Sequence, residues 1–403
     1  MAPTSLEHVV VVGASLAGLR AVEALRHDGY RGRLTLIGAE PHEPYDRPPL
    51  SKDFLAGTAD AASLALRKQG YDDLDVTLRL GAPAHSLDVD ARTVGVGDDT
   101  LSFDGMVIAT GAHPRPLPNQ PDLAGVHTLR TVEDSGEISA RLDAGARMCV
   151  IGAGFIGAEV AATARGRGRD VTVLEALPQP MVRGVGAVIG AVLASLHRDH
   201  GVDLRLGVGV ESITGGAHVE RVHLADGTAV ECEAVLVAIG AVPTTDWLEG
   251  SGLALDNGVV CDAALRAAPG IVAAGDLCRW PNAAFDDEMM RIEHWTNATE
   301  QGTHAARSLL AGDDADPFVT VPFVWSDQYD VKIQSAGRFS AEDRMEIVHG
   351  TPDDYKFIAI FERNGRISGV LGFNMARRVI QYRRMIAERA TFASALDSAA
   401  ANP

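Results

Sequence analysis

Residues 148–175 read MCVIGAGFIGAEVAATARGRGRDVTVLE, and the order of events within them is informative. Met148–Ile151 is an apolar run of the length of a buried strand. Gly152, Gly154 and Gly157 follow at G-x-G-x-x-G spacing and open a helix that runs through Arg165. A second strand run, DVTVLEA, carries an acid, Glu175, 23 residues beyond Gly152. Each glycine answers a separate need. The first turns the chain tightly, the second lets backbone approach a pyrophosphate, and the third lets helix pack against strand. A carboxylate at the strand end accepts from ribose hydroxyls and repels a 2′-phosphate. The residues after it are Ala176 and Leu177 rather than an arginine, so the stretch predicts a site that takes NADH in preference to NADPH.

The same phrase occurs near the start. Residues 9–12 are a valine run, GASLAG follows with Gly13, Ser15 and Gly18, a helix extends to about His27, and RLTLIGAE ends on Glu40, 27 residues after Gly13. Here the middle glycine is Ser15, whose hydroxyl can donate to a phosphate at the helix N-terminus. Two further runs look like strands that close each unit: FDGMVIATGAHPR, ending at Thr110-Gly111, and CEAVLVAIGAVP, ending at Ile239-Gly240. Two copies of strand, glycine turn, helix, strand and acid imply two doubly wound Rossmann-like α/β domains, each with a nucleotide site at its strand ends. After Pro317 the texture changes to short alternating runs, FVTVPFVW, VKIQSAG, MEIVHG and YKFIAIFERNGRISGVLGF, with Asn364-Gly365 as a hairpin signal. A helix over 375–389 is expected to close the chain, giving a C-terminal α+β domain.

The chain has 403 residues, enough for two to three domains at roughly 150 residues each. Its formal charge of −18 supplies no basic field to attract phosphates, which argues against a general nucleic-acid binder. The longest uncharged run, 184–197, is too short to span a bilayer. The cysteines, Cys149, Cys232, Cys261 and Cys278, are 83, 29 and 17 residues apart, with no CxxC spacing, so neither a disulfide framework nor a zinc site is expected. The histidines show no HxH or HExxH spacing. Together these features predict a soluble, cytoplasmic protein with no metal, no membrane span and no nucleic-acid partner.

Two further motifs are ambiguous alone. YDRPPLSK at 45–52 is a proline-stiffened loop bracketed by Arg47 and Lys52, which by itself reads as a rigid exposed segment. GIVAAGDLC holds Gly275-Asp276 after a short apolar run, and a lone Gly-Asp is a turn in most proteins. Taken with IATGA, LRTVED, VIGAGFIGAE, VTVLEA, AIGAVP, RIEHWTNATEQG and PFVWSDQYDVKIQ, however, they occur in the order of one family. From about Val9 to Gln334 the chain resembles the FAD-dependent, NADH-linked ferredoxin reductases that feed bacterial oxygenases and cytochromes P450, the putidaredoxin reductase type, whose fold is similar to that of glutathione reductase.

That resemblance implies a division into an FAD-binding domain (1–112 and 242–316), an inserted NAD-binding domain (113–241) and a C-terminal domain (317–403). It implies that Gly13, Ser15, Leu16, Ala17 and Glu40 hold the ADP half of FAD, with Ala84 near the adenine. Arg47 and Lys52 would lie near the flavin and its phosphates. Thr110, Gly111, Arg130 and Asp276 would contact the FAD chain, and Glu293, His294 and Trp295 would border the ring. Gly152, Gly154, Phe155, Ile156, Gly157, Glu175 and Gly240 would serve the nucleotide sites. Lys52 and Glu159 would pair beside flavin N5, where nicotinamide stacks, and Trp325 would lie at the outer flavin edge.

The chain departs from the disulfide reductases of this fold in having no cysteine before Cys149, which removes the CxxxxC dithiol relay and sends electrons out by another route. The expected reaction passes electrons from NADH through FAD, one at a time, to an iron–sulfur ferredoxin or rubredoxin, and indirectly to a P450 or other oxygenase. An NADH oxidase or small-acceptor reductase, and a flavoprotein binding module like apoptosis-inducing factor, are the rival readings. An acidic ferredoxin needs a local basic patch, and 366–389 supplies one: Arg366, Arg377, Arg378, Arg383, Arg384 and Arg389 against Glu388 alone. From the Glu40 and Asp276 positions, Asp276→Ala is expected to weaken FAD by roughly 1–3 kcal/mol, through ribityl hydroxyls left unpaired. Titration of the apoprotein with FAD measures it.

Overall fold

A valine run with no polar face can only be a strand covered on both sides. In the computed structural model, which describes residues 6–402, His8–Val12 is such a strand, buried along its whole length. The chain divides into two compact units, one formed by residues 6–46, 64–113 and 242–322, the other by 47–63, 114–241 and 323–402.

In the first unit a six-stranded sheet runs in the order Arg266–Ala268, Ile271–Ala273, Gly105–Ile108, His8–Val12, Arg33–Ile37, Thr77–Arg79. All neighbours are parallel except the first pair. Arg33–Ile37 lies on one side of His8–Val12 and Gly105–Ile108 on the other, so the chain reverses its winding there and opens a crevice at the strand ends. Helices Leu16–His27 and Trp295–Ala311 pack on each other so closely that a Cβ at Gly302 would fall 2.3 Å from the Ala17 carbonyl oxygen.

The second unit holds a five-stranded parallel sheet ordered Asp203–Leu206, Val171–Glu175, Met148–Ile151, Ala234–Val237, Val126–His127. Helix Phe155–Gly166 follows its central strand. Helix Val132–Asp143 begins with a capping box, in which the Thr131 hydroxyl accepts from Asp134 N and the Asp134 carboxylate from Thr131 N.

The same unit carries an antiparallel sheet of Phe323–Gln328, Val331–Gly337, Arg366–Phe373, Lys356–Arg363 and Arg344–Thr351. Its predicted hairpin turns at Asn364 and Gly365, both with positive φ (54° and 76°), as a two-residue loop with the right twist requires. Two expectations are corrected. Residues 318–322 form no strand; Pro322, which lacks an N–H, precedes the first ladder residue, Phe323. The helix Ala376–Ala387 does not close the chain, because Arg389 takes a left-handed φ of 54° and Thr391 caps a new helix, Phe392–Ala401, by accepting from Ser394 N. That helix buries Phe392, Ala395 and Ala399. At the helix crossing of the first unit, Gly302→Ala must push backbone apart, at a cost of about 1–3 kcal/mol. A lowered thermal midpoint, by calorimetry, is the expected readout.

Candidate nucleotide and redox site

The two glycine turns show why each position tolerates what it does. Gly13 has φ +119° and a Cβ there would lie 2.1 Å from the Ala109 carbonyl oxygen; at Gly18 it would lie 1.9 Å from the Gly13 oxygen. In the second unit Gly152 (φ +104°) and Gly157 are closed in the same way, by the Ala238 and Gly152 oxygens at 2.4 and 2.1 Å. Gly154, the middle residue, has nothing within 4 Å of its absent Cβ. Open space at the middle position explains how Ser15 can occupy its counterpart. Neither Ser15 nor Gly154 caps its helix with a side chain. A helix N-terminus carries the positive end of the helix dipole, the kind of place where an anion is stabilised.

In the first unit, the Tyr45 hydroxyl donates to the Glu40 carboxylate, and Trp295 Nε1 donates to Asp46 Oδ1 at 2.7 Å. Gly275 N donates to Gln301 Oε1 at 2.8 Å, which fixes the turn that presents Asp276. Among the described residues, four buried polar atoms along 294–301 lack a hydrogen-bonding partner: His294 Nδ1, Asn297 Oδ1, Thr299 Oγ1 and Gln301 Nε2. Sealed polar atoms cost free energy unless something pairs with them, so His294, Asn297 and Gln301, at i, i+3 and i+7 along one helix face, fit a bound polar cofactor such as FAD. Burial pushes the His294 pKa down to about 4, against a smaller upward pull from Asp276, so the ring is neutral at pH 7. The Thr110 hydroxyl donates to the Thr244 carbonyl at 2.8 Å, and Glu293 is exposed and paired with Arg291. Ala84 opens the strand Ala84–Asp88, and Leu16 and Ala17 are buried in the first helical turn.

In the second unit the Glu175 carboxylate accepts from Ala153 N at 3.0 Å and Leu177 N at 2.9 Å, so it braces the glycine turn as well as standing at the strand end. Phe155 is half-buried and Ile156 is 44% exposed. Gly240 takes φ +111° with open space around it, and Arg47 Nη1 donates to the Arg130 carbonyl at 2.5 Å.

The centre of this unit is Glu159. Its carboxylate, on helix Phe155–Gly166, is buried and accepts from Lys52 Nζ (2.6 Å), Ser51 Oγ (2.5 Å) and Ser326 Oγ (2.7 Å). Lys52 Nζ also donates to the Pro48 carbonyl (3.1 Å) and to Ser51 Oγ (3.3 Å). Removing one partner of such a buried pair costs about 3–5 kcal/mol, because the other charge is stranded. Trp325 is half-buried on strand Phe323–Gln328, its ring centroid 6.3 Å from that of Phe323, and the Arg383 guanidinium carbon lies 5.4 Å from the Phe323 centroid.

The first unit thus gathers Gly13, Ser15, Leu16, Ala17, Glu40, Ala84, Thr110, Gly111, Asp276, Glu293, His294 and Trp295. The second gathers Arg47, Lys52, Arg130, Gly152, Gly154, Phe155, Ile156, Gly157, Glu159, Glu175, Gly240 and Trp325. Sequence reasoning missed Ser51, Ser326 and Gln328. No signal marked them, because Ser326, Asp327 and Gln328 are polar in succession and only the strand's pleat buries the first and third.

Residues 7–302 match the family model for pyridine nucleotide-disulphide oxidoreductases, and residues 323–402 match a reductase C-terminal model. The chain belongs to the pyridine nucleotide-disulphide oxidoreductases. Its glutathione reductase-like fold class, two Rossmann-like sheets with a C-terminal α+β sheet, is the one expected. It is 37% identical over 384 residues to rhodocoxin reductase of Rhodococcus erythropolis, covering 94% of this chain and 89% of that one. It is 34% identical to the ferredoxin–NAD(+) reductase component of the p-cumate 2,3-dioxygenase system of Pseudomonas putida, covering 96% and 94%. Among solved structures it is similar to the reductase in a covalent putidaredoxin reductase–putidaredoxin complex, with a TM-score of 0.90 at 33% identity over 95% of this chain and 93% of that one. From the position of Glu175, wild type is expected to prefer NADH over NADPH by more than about tenfold in kcat/KM, and Glu175→Gln to narrow that ratio. Steady-state kinetics with both nucleotides measures it.

Proposed function

We propose that this protein is an NADH-dependent ferredoxin reductase that delivers electrons singly to an iron–sulfur ferredoxin serving an oxygenase or cytochrome P450. FAD and NADH are its cofactors, and bound FAD supplies the conversion of one hydride into two one-electron deliveries. The observation that carries the reading is the Lys52–Glu159 pair, a buried ion pair held by Ser51 and Ser326 in a chain with no redox-active cysteine pair on its early helix. The four cysteines are buried free thiols, and none lies on the helix after the first glycine turn.

The chain's own residues position and exclude. The glycine turns bring backbone N–H groups to the phosphates of FAD (Gly13, Ser15) and NADH (Gly152, Gly154), with Glu40 and Glu175 on the riboses. Asp276, Thr110, Gly111 and Arg130 hold the FAD chain, Arg47 lies by its phosphates, and Glu293, His294 and Trp295 border its ring. A neutral His294 adds no charge there. Lys52 and Glu159 set the nicotinamide side. These roles follow a division into an FAD domain (1–112, 242–316), an NAD domain (113–241) and a C-terminal domain (317–403). Among the described residues no helix is long and apolar enough to cross a membrane, and buried free thiols suit the reducing cytoplasm in which we place the protein.

Electrons leave past Trp325. Arg377 and Arg384 are exposed on helix Ala376–Ala387 and flank Ile380, which is 53% exposed, while Arg383 lies over Phe323 beside Trp325. An apolar spot rimmed by arginines suits an acidic partner although the whole chain is acidic. NADH-driven reduction of a panel of [2Fe–2S], [3Fe–4S] and rubredoxin partners, against oxygen alone, tests the function. Turnover with oxygen that no iron–sulfur partner exceeds would overturn it. Arg377→Glu with Arg384→Glu is expected to raise the ferredoxin KM about tenfold at low salt and to flatten its salt dependence. Ferricyanide, which needs no docking surface, serves as the control acceptor.

A further inference from the structure

We propose that Ser326 and Gln328 are positioning residues for the Lys52–Glu159 pair, so that one strand serves both ends of the electron path. This rests on the reading above, in which that pair borders the nicotinamide and Trp325 stands at the exit. Strand alternation supplies the geometry. On Phe323–Gln328, Ser326 and Gln328 are fully buried, while Trp325 and Asp327, on the opposite face, are half-buried.

The hydrogen-bond inventory dictates a direction. Glu159 as a carboxylate only accepts, so the single proton of Ser326 must go to its Oε1, at 2.7 Å. The Ser326 oxygen then has lone pairs to fill, and Gln328 Nε2 donates into it at 3.2 Å. Gln328 Oε1 has no partner among the described residues, and reversing the amide would turn an acceptor toward a hydroxyl whose proton is already committed. Gln328 therefore orients Ser326, and Ser326 orients Glu159. The two carboxylate oxygens divide the work. Oε2 receives Ser51 and Lys52, and Oε1 receives Ser326, its one donor among the described residues. Without Ser326, a buried oxygen is left unpaired and the carboxylate is held from the Oε2 side alone, so its orientation toward the Lys52 ammonium is less closely fixed.

The test uses the FAD-loaded enzyme and begins with NAD⁺ binding by calorimetry, which needs no turnover. Ser326→Ala is expected to weaken NAD⁺ roughly tenfold and to lower kcat/KM for NADH by at least as much, through kcat as well as KM. Ser326→Thr, which keeps the hydroxyl, is expected to restore both. Gln328→Ala, which leaves the hydroxyl but not its orienting donor, should give a smaller change in the same direction, and it decides the matter if Ser326→Ala does not fold. Wild-type NAD⁺ affinity and kcat/KM in Ser326→Ala would overturn the proposal. Equal impairment of the Ala and Thr variants would overturn it too, since packing rather than the hydroxyl would then be at fault. A wild type that binds NAD⁺ yet reduces no ferredoxin would sink the proposed function and leave this comparison decisive.

Discussion

A carboxylate cannot stay ionised in a protein interior unless donors replace its water, and Glu159 imposes that demand on the whole second unit. Its three donors come from Ser51, Lys52 and Ser326, which lie 108, 107 and 167 residues away in the chain. The loop, the helix and the C-terminal sheet must each arrive in place for one charge to be satisfied. The proline-stiffened loop is fastened accordingly. Ser135 Oγ donates to the Leu50 carbonyl (2.7 Å), Thr163 Oγ1 to that of Ser51 (2.8 Å) and Arg167 Nη1 to that of Leu55 (2.8 Å). A segment whose prolines lack N–H groups thus has its carbonyls held by side chains of two helices.

Steric closure governs the glycine turns as strictly as charge governs Glu159. At the outer glycines a backbone carbonyl stands where a Cβ would go, that of Ala109 or Ala238 at the first and that of the first glycine itself at the third, and at Gly13 and Gly152 a positive φ adds a backbone constraint. The middle position is under neither constraint, since nothing lies near the missing side chain of Gly154. Departure from the three-glycine pattern is therefore tolerated at Ser15 and nowhere else in the motif. In the same two turns the N-cap residue, Ser15 or Gly154, makes no side-chain cap hydrogen bond.

Much of the fold was legible in the sequence because its signals are local. Valine runs, glycine spacing and a terminal acid each operate within about one supersecondary unit, and Asn364-Gly365 within one turn. The failures were local as well. The helix Phe392–Ala401 is hard to separate in sequence from the one before it, because Thr391 caps it only four residues after Ala387. The run FVTVPFVW reads as one stretch in the sequence, but Pro322 interrupts it and the strand begins at Phe323.

The sequence by itself determined two mainly parallel sheets, each with a strand, glycine turn and helix, an acid at or just past each second strand, and the absence of an early cysteine pair. These depend on periodicity and residue type over short windows. Only the tertiary structure decided that Glu175 also braces its own glycine turn, that Arg383 lies over Phe323, and that Ser326 reaches Glu159. A hydroxyl is chemically ordinary wherever it stands in a chain. It acquires a role when topology brings it within 2.7 Å of a buried charge, and that distance is set by the packing of helix against sheet rather than by any pattern around the serine.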